Sequence, residues 1–289
     1  MIEAYLLHLL SIIGLYAILA VSLNLVVGYG GMLNLGHAAL FGIGAYTSAL
    51  LSIEGVPFPL SIAAAGVAAS LSGLLLVTAT KRLKDEYLAL TTLGFGFVVY
   101  SLMLNLKSLT QGPLGLASIP KPSLFGLEFS TKTQFVLLIG VAAAASIFVM
   151  WRIASSPFGR LLRAVREDET YLKVLGKDTF KVKCKAMMTS GFFAGVSGSL
   201  YAHYMGYIDP GSFTLNSTIL LFMIVIVGGL ASIRGTILST FAVILIPEAL
   251  RFLDLPSSVI GPMRNIMYAC ILLLILYYRP RGIYGDVSL

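Results

Sequence analysis

The amino-acid sequence predicts an all-α, polytopic transmembrane bundle, and three observations carry that prediction. Of 289 residues, 57% are hydrophobic and only 11% charged, whereas a soluble domain is about half apolar and about a quarter charged. Mean hydropathy is +0.91. The apolar residues fall in long unbroken stretches, not in the polar and apolar alternation of strands that cross a bilayer, so the spans read as helices. At roughly 20 residues per crossing, residues 1–289 have room for eight to ten spans in a single membrane domain.

Taken in order, the apolar windows give nine helices, near Tyr5 to Val27, His37 to Ile53, Phe58 to Ala79, Tyr87 to Leu106, Phe135 to Trp151, Ala186 to Tyr204, Phe213 to Leu230, Thr236 to Phe252 and Val259 to Tyr278. The first lacks the charged start and small-residue cleavage pattern of a secretory signal and is too long for one, so it is expected to stay as a transmembrane helix. The second is short and interrupted by Gly42 and Gly44, and the eighth is short and directly follows Gly235, which leaves a broken or re-entrant helix open for each. Loops rich in Lys and Arg stay in the cytoplasm. Lys81, Arg82, Lys84, the basic residues from Arg152 to Lys185, Arg234, Arg279 and Arg281 all fall on one side of a nine-span chain. Lys107, Lys121, Lys132, Arg251 and Arg264 scatter on the other. The N-terminus is therefore expected outside and the C-terminus in the cytoplasm. Topology and attraction to anionic lipid headgroups account for the net charge of +7, so no nucleic-acid partner is called for. Cys184 and Cys270 match no metal spacing and read as structural.

Between Trp151 and Lys185 the apolar pattern breaks into a charged island, WRIASSPFGRLLRAVREDETYLKVLGKDTFKVKCK. Ser156 and Pro157 form a helix opening, with Ser as N-cap and Pro at the first helical position. Gly176 is the expected stop. Leu161, Val165, Leu172 and Leu175 can line one side, with Arg160, Arg163, Arg166 and Glu167 on another, giving a short amphipathic helix under the membrane. A helix that only anchors to lipid is the plainer alternative. The acidic cluster Glu167, Asp168 and Glu169 argues against it, because carboxylates sit poorly on an anionic leaflet while a mixed-sign face suits a protein groove.

The stretch SPFGRLLRAVREDETYLKVLGKDTFKVK resembles the cytoplasmic coupling segment of LivM-type permeases of branched-chain amino-acid ABC transporters. Three other stretches agree: SLNLVVGYGGMLNLGHAALFGIGAY from Ser22 to Tyr46, DEYLALTTLGFGFVVYSLMLNLKSLTQGPLGLASIP from Asp85 to Pro120, and IVGGLASIRGTILSTFAVILIPEALR with the closing YYRPRGIYG. One departure is Gln111, where the family usually has a second glycine after Thr. The resemblance implies an importer of two permeases and two ABC ATPase subunits, fed by a periplasmic amino-acid-binding protein. This chain would pair with a LivH-type permease in a bacterial or archaeal inner membrane. Residues 152–185 would be the cytoplasmic coupling loop, with Pro157, Phe158, Gly159, Arg160, Arg163, Arg166, Glu167, Asp168 and Gly176 meeting the ATPase. Independently, the sequence contains no G-x-x-x-x-G-K-[ST] phosphate loop. No cofactor is therefore expected on this chain, and ATP and Mg would be used by the partner subunits. Leucine, isoleucine and valine are the expected cargo, with urea, short amides or other amino acids as the alternative.

Gly28, Gly30, Gly31 and Gly36 crowd the junction of the first two windows. Close helix packing by small residues explains them, and so does unwound backbone lining a cavity, the setting in which irregular backbone survives at membrane depth. Val227-Gly228-Gly229-Leu230 ahead of Arg234-Gly235 faintly echoes Val27-Gly28-Tyr29-Gly30-Gly31 ahead of Leu35-Gly36, as in transporters built from repeats. A nine-span count runs both copies in the same direction. Asn24, Asn34, His37, Thr91 and Thr92, with Gly28, Gly30, Gly31, Gly228 and Gly229, are the candidate path residues. His37 is equally readable as a helix-start histidine satisfied by a carbonyl, and Thr91 and Thr92 as bonded back to their own helix. Glu248, costly in an apolar run, has Arg251 as an expected partner. His8 and His203 read as lodged near span ends. An ion-coupled carrier or channel would carry buried ionisable relays, which are sparse here. An enzyme would need a nucleophile, base or metal cluster at ligand spacing, and none is spelled out, so neither catalytic nor metal residues are assigned.

Overall fold

Each of the nine apolar windows coincides with a helix. The computed structural model describes residues 2–81, 85–124, 127–129, 131–248, 257–279 and 281–285. In chain order the helices that match these windows are α1 (Ile2–Asn24), α2 (His37–Ile53), α3 (Phe58–Ala79), α4 (Asp85–Asn105), α6 (Lys132–Ser155), α9 (Thr179–Met205), α10 (Leu215–Gly228), α11 (Ile233–Glu248) and α12 (Ser257–Tyr278). The short α5 (Lys107–Thr110) follows α4, and α7 (Pro157–Glu167) and α8 (Glu169–Val174) form the charged island. A two-residue hairpin, β1 (Ser123–Leu124) with β2 (Leu127–Glu128), lies ahead of α6.

Helix existence and span count are different questions. Among the described residues five segments are long and apolar enough to cross a bilayer: Glu3–Tyr29, Phe58–Ala79, Tyr87–Asn105, Lys132–Ser155 and Gly261–Tyr278. The apolar helices α2 and α10 are shorter. The structure also corrects several boundaries. Phe213 belongs to a 3-10 turn, Pro210–Phe213, rather than to α10. α6 starts at Lys132 because Thr131 and Gln134 form a reciprocal capping box. α9 begins at Thr179, well before its apolar part, because the Asp178 carboxylate accepts from the Lys181 amide at 3.1 Å. Phe252 lies outside the described residues.

Glycine sets the tightest packing. α2, α3 and α9 meet along small residues: a Cβ on Gly195 would lie 2.7 Å from Ala69 Cβ, one on Gly198 would lie 2.7 Å from the Ala45 amide, and one on Gly191 would lie 2.6 Å from the Ala69 carbonyl. Apolar burial alone does not drive helices together in lipid, so close backbone approach of this kind is what holds them. α1 runs through the centre against α6, α9, α10 and α11. α12 packs on α10 and α11, and many of its side chains are exposed.

Gln111 adopts φ 58°, left-handed backbone in which glycine is at ease. The departure from the family pattern thus falls at a position that asks for the glycine. Gln111→Gly is expected to raise the melting temperature slightly, by about 0.5–1 kcal/mol of relieved strain, measurable by thermal unfolding in detergent.

At the end opposite the island, His203 is buried with Nδ1 2.7 Å from the Pro120 carbonyl and Nε2 3.0 Å from Ser48 Oγ. His8 Nδ1 lies 2.7 Å from the Tyr204 hydroxyl. Both histidines hold structure. Glu248 accepts from Arg264 Nη2 at 2.7 Å and from the Tyr5 hydroxyl, which ties α11 to α12 and α1. Arg251, the partner expected from spacing, lies outside the described residues. So do Arg82 and Lys84 of the basic cluster and Pro280 of the closing motif.

Candidate functional site

The charged island folds as two helices, not one. Ser156 caps α7 as expected, with the Gly159 amide donating to its Oγ at 3.4 Å and Pro157 at the first position. The helix then stops at Asp168, whose φ of −154° and ψ of 97° are extended. Its carboxylate takes the Tyr171 amide at 2.9 Å and starts α8. The second cap was legible as an Asp one turn before Tyr171, but continuous periodicity masked it. The break has a consequence for the apolar face. Leu162, Val165 and Leu172 are buried, while Tyr171, Val174 and Leu175 are 61%, 80% and 55% exposed. Leu175, expected on the buried side, is thus turned outward. Gly176 has φ 72°, the left-handed conformation that ends a helix.

Among the residues assigned to ATPase contact, Pro157, Arg160, Glu167 and Asp168 are exposed, whereas Gly159 is buried and Phe158 half-buried. A Cβ on Gly159 would meet the Ala154 and Ile153 backbone, so the α6–α7 corner can close this tightly only with glycine. Gly176 and Arg163 are exposed as well, and Arg166 is half-buried, yet both arginines reach back to the bundle. Arg163 Nη2 donates to the Ala154 carbonyl at 3.2 Å, and its guanidinium lies 5.0 Å from the Tyr29 ring centroid. Arg166 Nη1 donates to the Gly28 carbonyl. Burial pushes the Arg166 guanidinium below the ordinary arginine value, with neighbouring Glu167 acting against it.

Glu169 locks α8 onto α9. It meets Lys183 Nζ at 2.6 Å, Lys173 Nζ at 2.9 Å and the Thr179 hydroxyl at 2.9 Å. Burial raises its pKa, but the hydrogen bonds from Lys183, Lys173 and Thr179 outweigh it and hold the carboxyl at about 2. The folded value lies below the ordinary 4.5, so this contribution is complete above about pH 4.5 and fades as pH falls toward 2. Mobility of a dye at Leu175→Cys is expected to stay low down to that window and rise within it. Glu169→Gln is expected to give the mobile state already at pH 7.

The first glycine cluster is a true helix break. α1 loosens into a π-helical turn, Leu25–Tyr29, and the chain passes through Gly30 to Gly36 before α2. Gly31 sits at φ 69°. Much of the break packs against protein, although Leu33 is exposed: Leu35 N donates to Thr92 Oγ1 at 2.9 Å and Asn34 Nδ2 approaches Met187 Sδ at 3.5 Å. The second cluster is also a break, since α10 ends at Gly228 and Gly229 has φ 104°. The two are adjacent. Asn24 Nδ2 donates to Thr236 Oγ1 at 2.7 Å, Ser232 O at 3.2 Å and Gly229 O at 3.4 Å, and its Oδ1 accepts from the Ala231 amide at 3.1 Å. α1 and α10 therefore run in the same direction to a common level, beside α7.

Asn24, Asn34, His37 and Thr92 are all fully buried. His37 Nε2 lies 3.0 Å from Ser22 Oγ, whose hydroxyl donates to the Leu19 carbonyl at 2.8 Å, and among the described residues the buried His37 Nδ1 makes no hydrogen bond. Thr91 bonds back to the Tyr87 carbonyl at 2.8 Å. Two hollows adjoin these elements. A cleft of about 980 Å3 runs from Gly30 and Gly31 past Lys81 and Arg166 to Lys183. A small crease of about 20 Å3 lies between the starts of α2 and α10 and the middle of α4, with Leu35, Ala39, Phe97, Tyr100, Thr214 and Thr218 in its wall. The crease was not legible in sequence, because its residues come from three separate helices with no common spacing.

Residues 5–276 match the family model described as branched-chain amino acid transport system / permease component. The chain belongs to this permease family. It is 35% identical to the high-affinity branched-chain amino acid transport system permease protein LivM of Salmonella typhimurium and to that of Escherichia coli, over 93% of this chain and 67% of each relative. It is 27% identical to the Escherichia coli permease LivH over 93% of this chain and 91% of that one. No solved structure matches it. The permease is thus a multi-pass transport subunit rather than an enzyme, of the LivM-like kind.

Proposed function

We propose that this permease pairs with a LivH-type sister, two ABC ATPase subunits and a periplasmic binding protein to import leucine, isoleucine and valine. The observation that carries the reading is the α7–α8 element, an outward apolar tip set among Arg160, Glu167 and Asp168. Tyr171, Val174 and Leu175 are 55–80% exposed, and an apolar centre with a charged rim is the anatomy of a protein interface. This end faces the cytoplasm, with the N-terminus outside, in keeping with the basic residues around it. Nine spans follow if α2, α9, α10 and α11 cross along with the five long segments. The solute moves along the crease beside α2, α4 and α10, whose aliphatic and hydroxyl-bearing wall suits a branched side chain, with the sister permease completing it. ATP binding draws the ATPases together, pushes α7 and α8, and rocks the helices to alternate access.

The test is ATP hydrolysis and labelled leucine uptake in proteoliposomes holding all the subunits. Uptake that requires ATP and is competed by isoleucine and valine is expected. Val174→Asp is expected to lower both assembly with the ATPases and uptake by about tenfold or more, the scale of one lost hot-spot contact. Full assembly of that variant would remove the docking role of α8.

A further inference from the structure

We infer that Arg166 is a positioning residue that carries the displacement of the coupling element to both helix breaks at once, rather than a contact for the ATPase. The inference rests on the reading of α7–α8 as the docking element.

A helix ends with carbonyls that have lost their amide partners, and a cation there is doubly favoured, by the hydrogen bond and by the helix dipole. At the end of α1 the backbone shifts register: the Gly31 amide goes to Val27 O at 3.1 Å and the Met32 amide to Val26 O at 3.1 Å. The Gly28 carbonyl is taken instead by Arg166, from a different element. The glycines make this possible. A Cβ on Gly31 would lie 2.8 Å from Arg166 Cγ, and one on Gly30 would lie 3.1 Å from Leu162 Cδ1. Arg163 over Tyr29 adds a second contact between the same two elements. α7 is therefore fastened to the last turn of α1 by a charge-assisted bond and close packing.

One turn further in, Asn24 joins that turn to the second break, and a Cβ on Gly28 would lie 2.5 Å from the Ala231 amide. The second break is in turn held by the C-terminal segment, with the Ile283 amide on Val227 O at 2.9 Å and the Tyr284 amide on Gly228 O at 3.1 Å. A shift of α7 cannot move one break without the other. The chain of contacts runs from Arg166 through Gly28 and Asn24 to Gly229, and each link is a hydrogen bond or a backbone approach with no slack.

The test uses the full reconstituted complex with Arg166→Ala and Arg166→Lys, measuring subunit assembly, stimulated ATP hydrolysis and leucine uptake together. Arg166→Ala is expected to assemble normally and keep stimulated hydrolysis within about twofold, while uptake falls roughly tenfold or more, as for loss of a charge-assisted hydrogen bond. ATP consumed per leucine therefore rises, with the maximal rate reduced and the half-saturating concentration of loaded binding protein unchanged. Arg166→Lys, which can still place one donor on the Gly28 carbonyl, is expected to recover most of the uptake. Hydrolysis and uptake falling in equal proportion, uptake unchanged in the alanine variant, or no recovery by lysine would each overturn the inference. Failure of the docking reading shows up separately, as normal assembly of Val174→Asp.

Discussion

Asn24→Ala is expected to be among the most damaging single substitutions in this chain. Its side chain makes four hydrogen bonds across two helix breaks, at 2.7, 3.2, 3.4 and 3.1 Å. Removing it takes the side-chain partner from the Ala231 amide and the Gly229 carbonyl, at about 1–3 kcal/mol for each buried group left unpaired, while the Ser232 carbonyl keeps the Thr236 amide and hydroxyl. Ala231 itself sits at φ 60°, left-handed backbone in which only glycine is at ease, so the Asn24 bond to its amide helps to hold a strained turn. A lowered melting temperature in detergent and loss of uptake in proteoliposomes are the expected results. Asn24→Asp discriminates between size and hydrogen bonding. It keeps the acceptor for Ala231 but sets a carboxylate against the Gly229 and Ser232 carbonyls, so it should be no milder than alanine. A fully active Asn24→Asp protein would show that the bridge does not hold the breaks.

Gly44→Val is the second. A Cβ there would lie 2.5 Å from the Gly195 carbonyl oxygen and 2.8 Å from its carbon, and both are backbone atoms that no rotamer change can move. Forcing α2 from α9 breaks a direct backbone contact between the two helices, and overpacking of this kind costs about 1–3 kcal/mol or more. Gly140 supplies the control. It lies within α6, and nothing stands within 4 Å of its would-be Cβ. Gly140→Ala should leave the chain unchanged or stabilise it by about 0.5–1 kcal/mol. Thermal unfolding of the two variants side by side tests whether close approach, rather than glycine content as such, holds these helices together. Equal melting temperatures would refute it.

The contrast between these two glycines shows where sequence reading stops. Both occur in apolar helices, and nothing in the local sequence separates them. Only the crossing of α2 over α9 makes one indispensable. The first glycine cluster was open between packing and unwinding, and the structure contains both: Gly28 and Gly36 are closed in by neighbouring backbone, while the segment from Gly30 to Gly36 is non-helical. The echo with Gly228 and Gly229 was visible as a pattern. That Asn24 joins the two copies was not, since its partners lie far along the chain and no periodicity links them.

The sequence by itself determined the helical membrane class, the approximate positions of the apolar helices, the Ser156–Pro157 opening of the charged island and the family. These depend on apolar run length, caps and short motifs, which act over a few residues and are therefore written locally. The tertiary structure alone decided that the island splits at Asp168, that Tyr171, Val174 and Leu175 point outward, that Arg163 and Arg166 reach the turn that ends α1, and that both helix breaks share one hydrogen-bonding side chain. Each of these follows from which carbonyls and helix faces are brought side by side when distant segments pack, and in a chain whose apolar stretches all look alike, that pairing has no local signature.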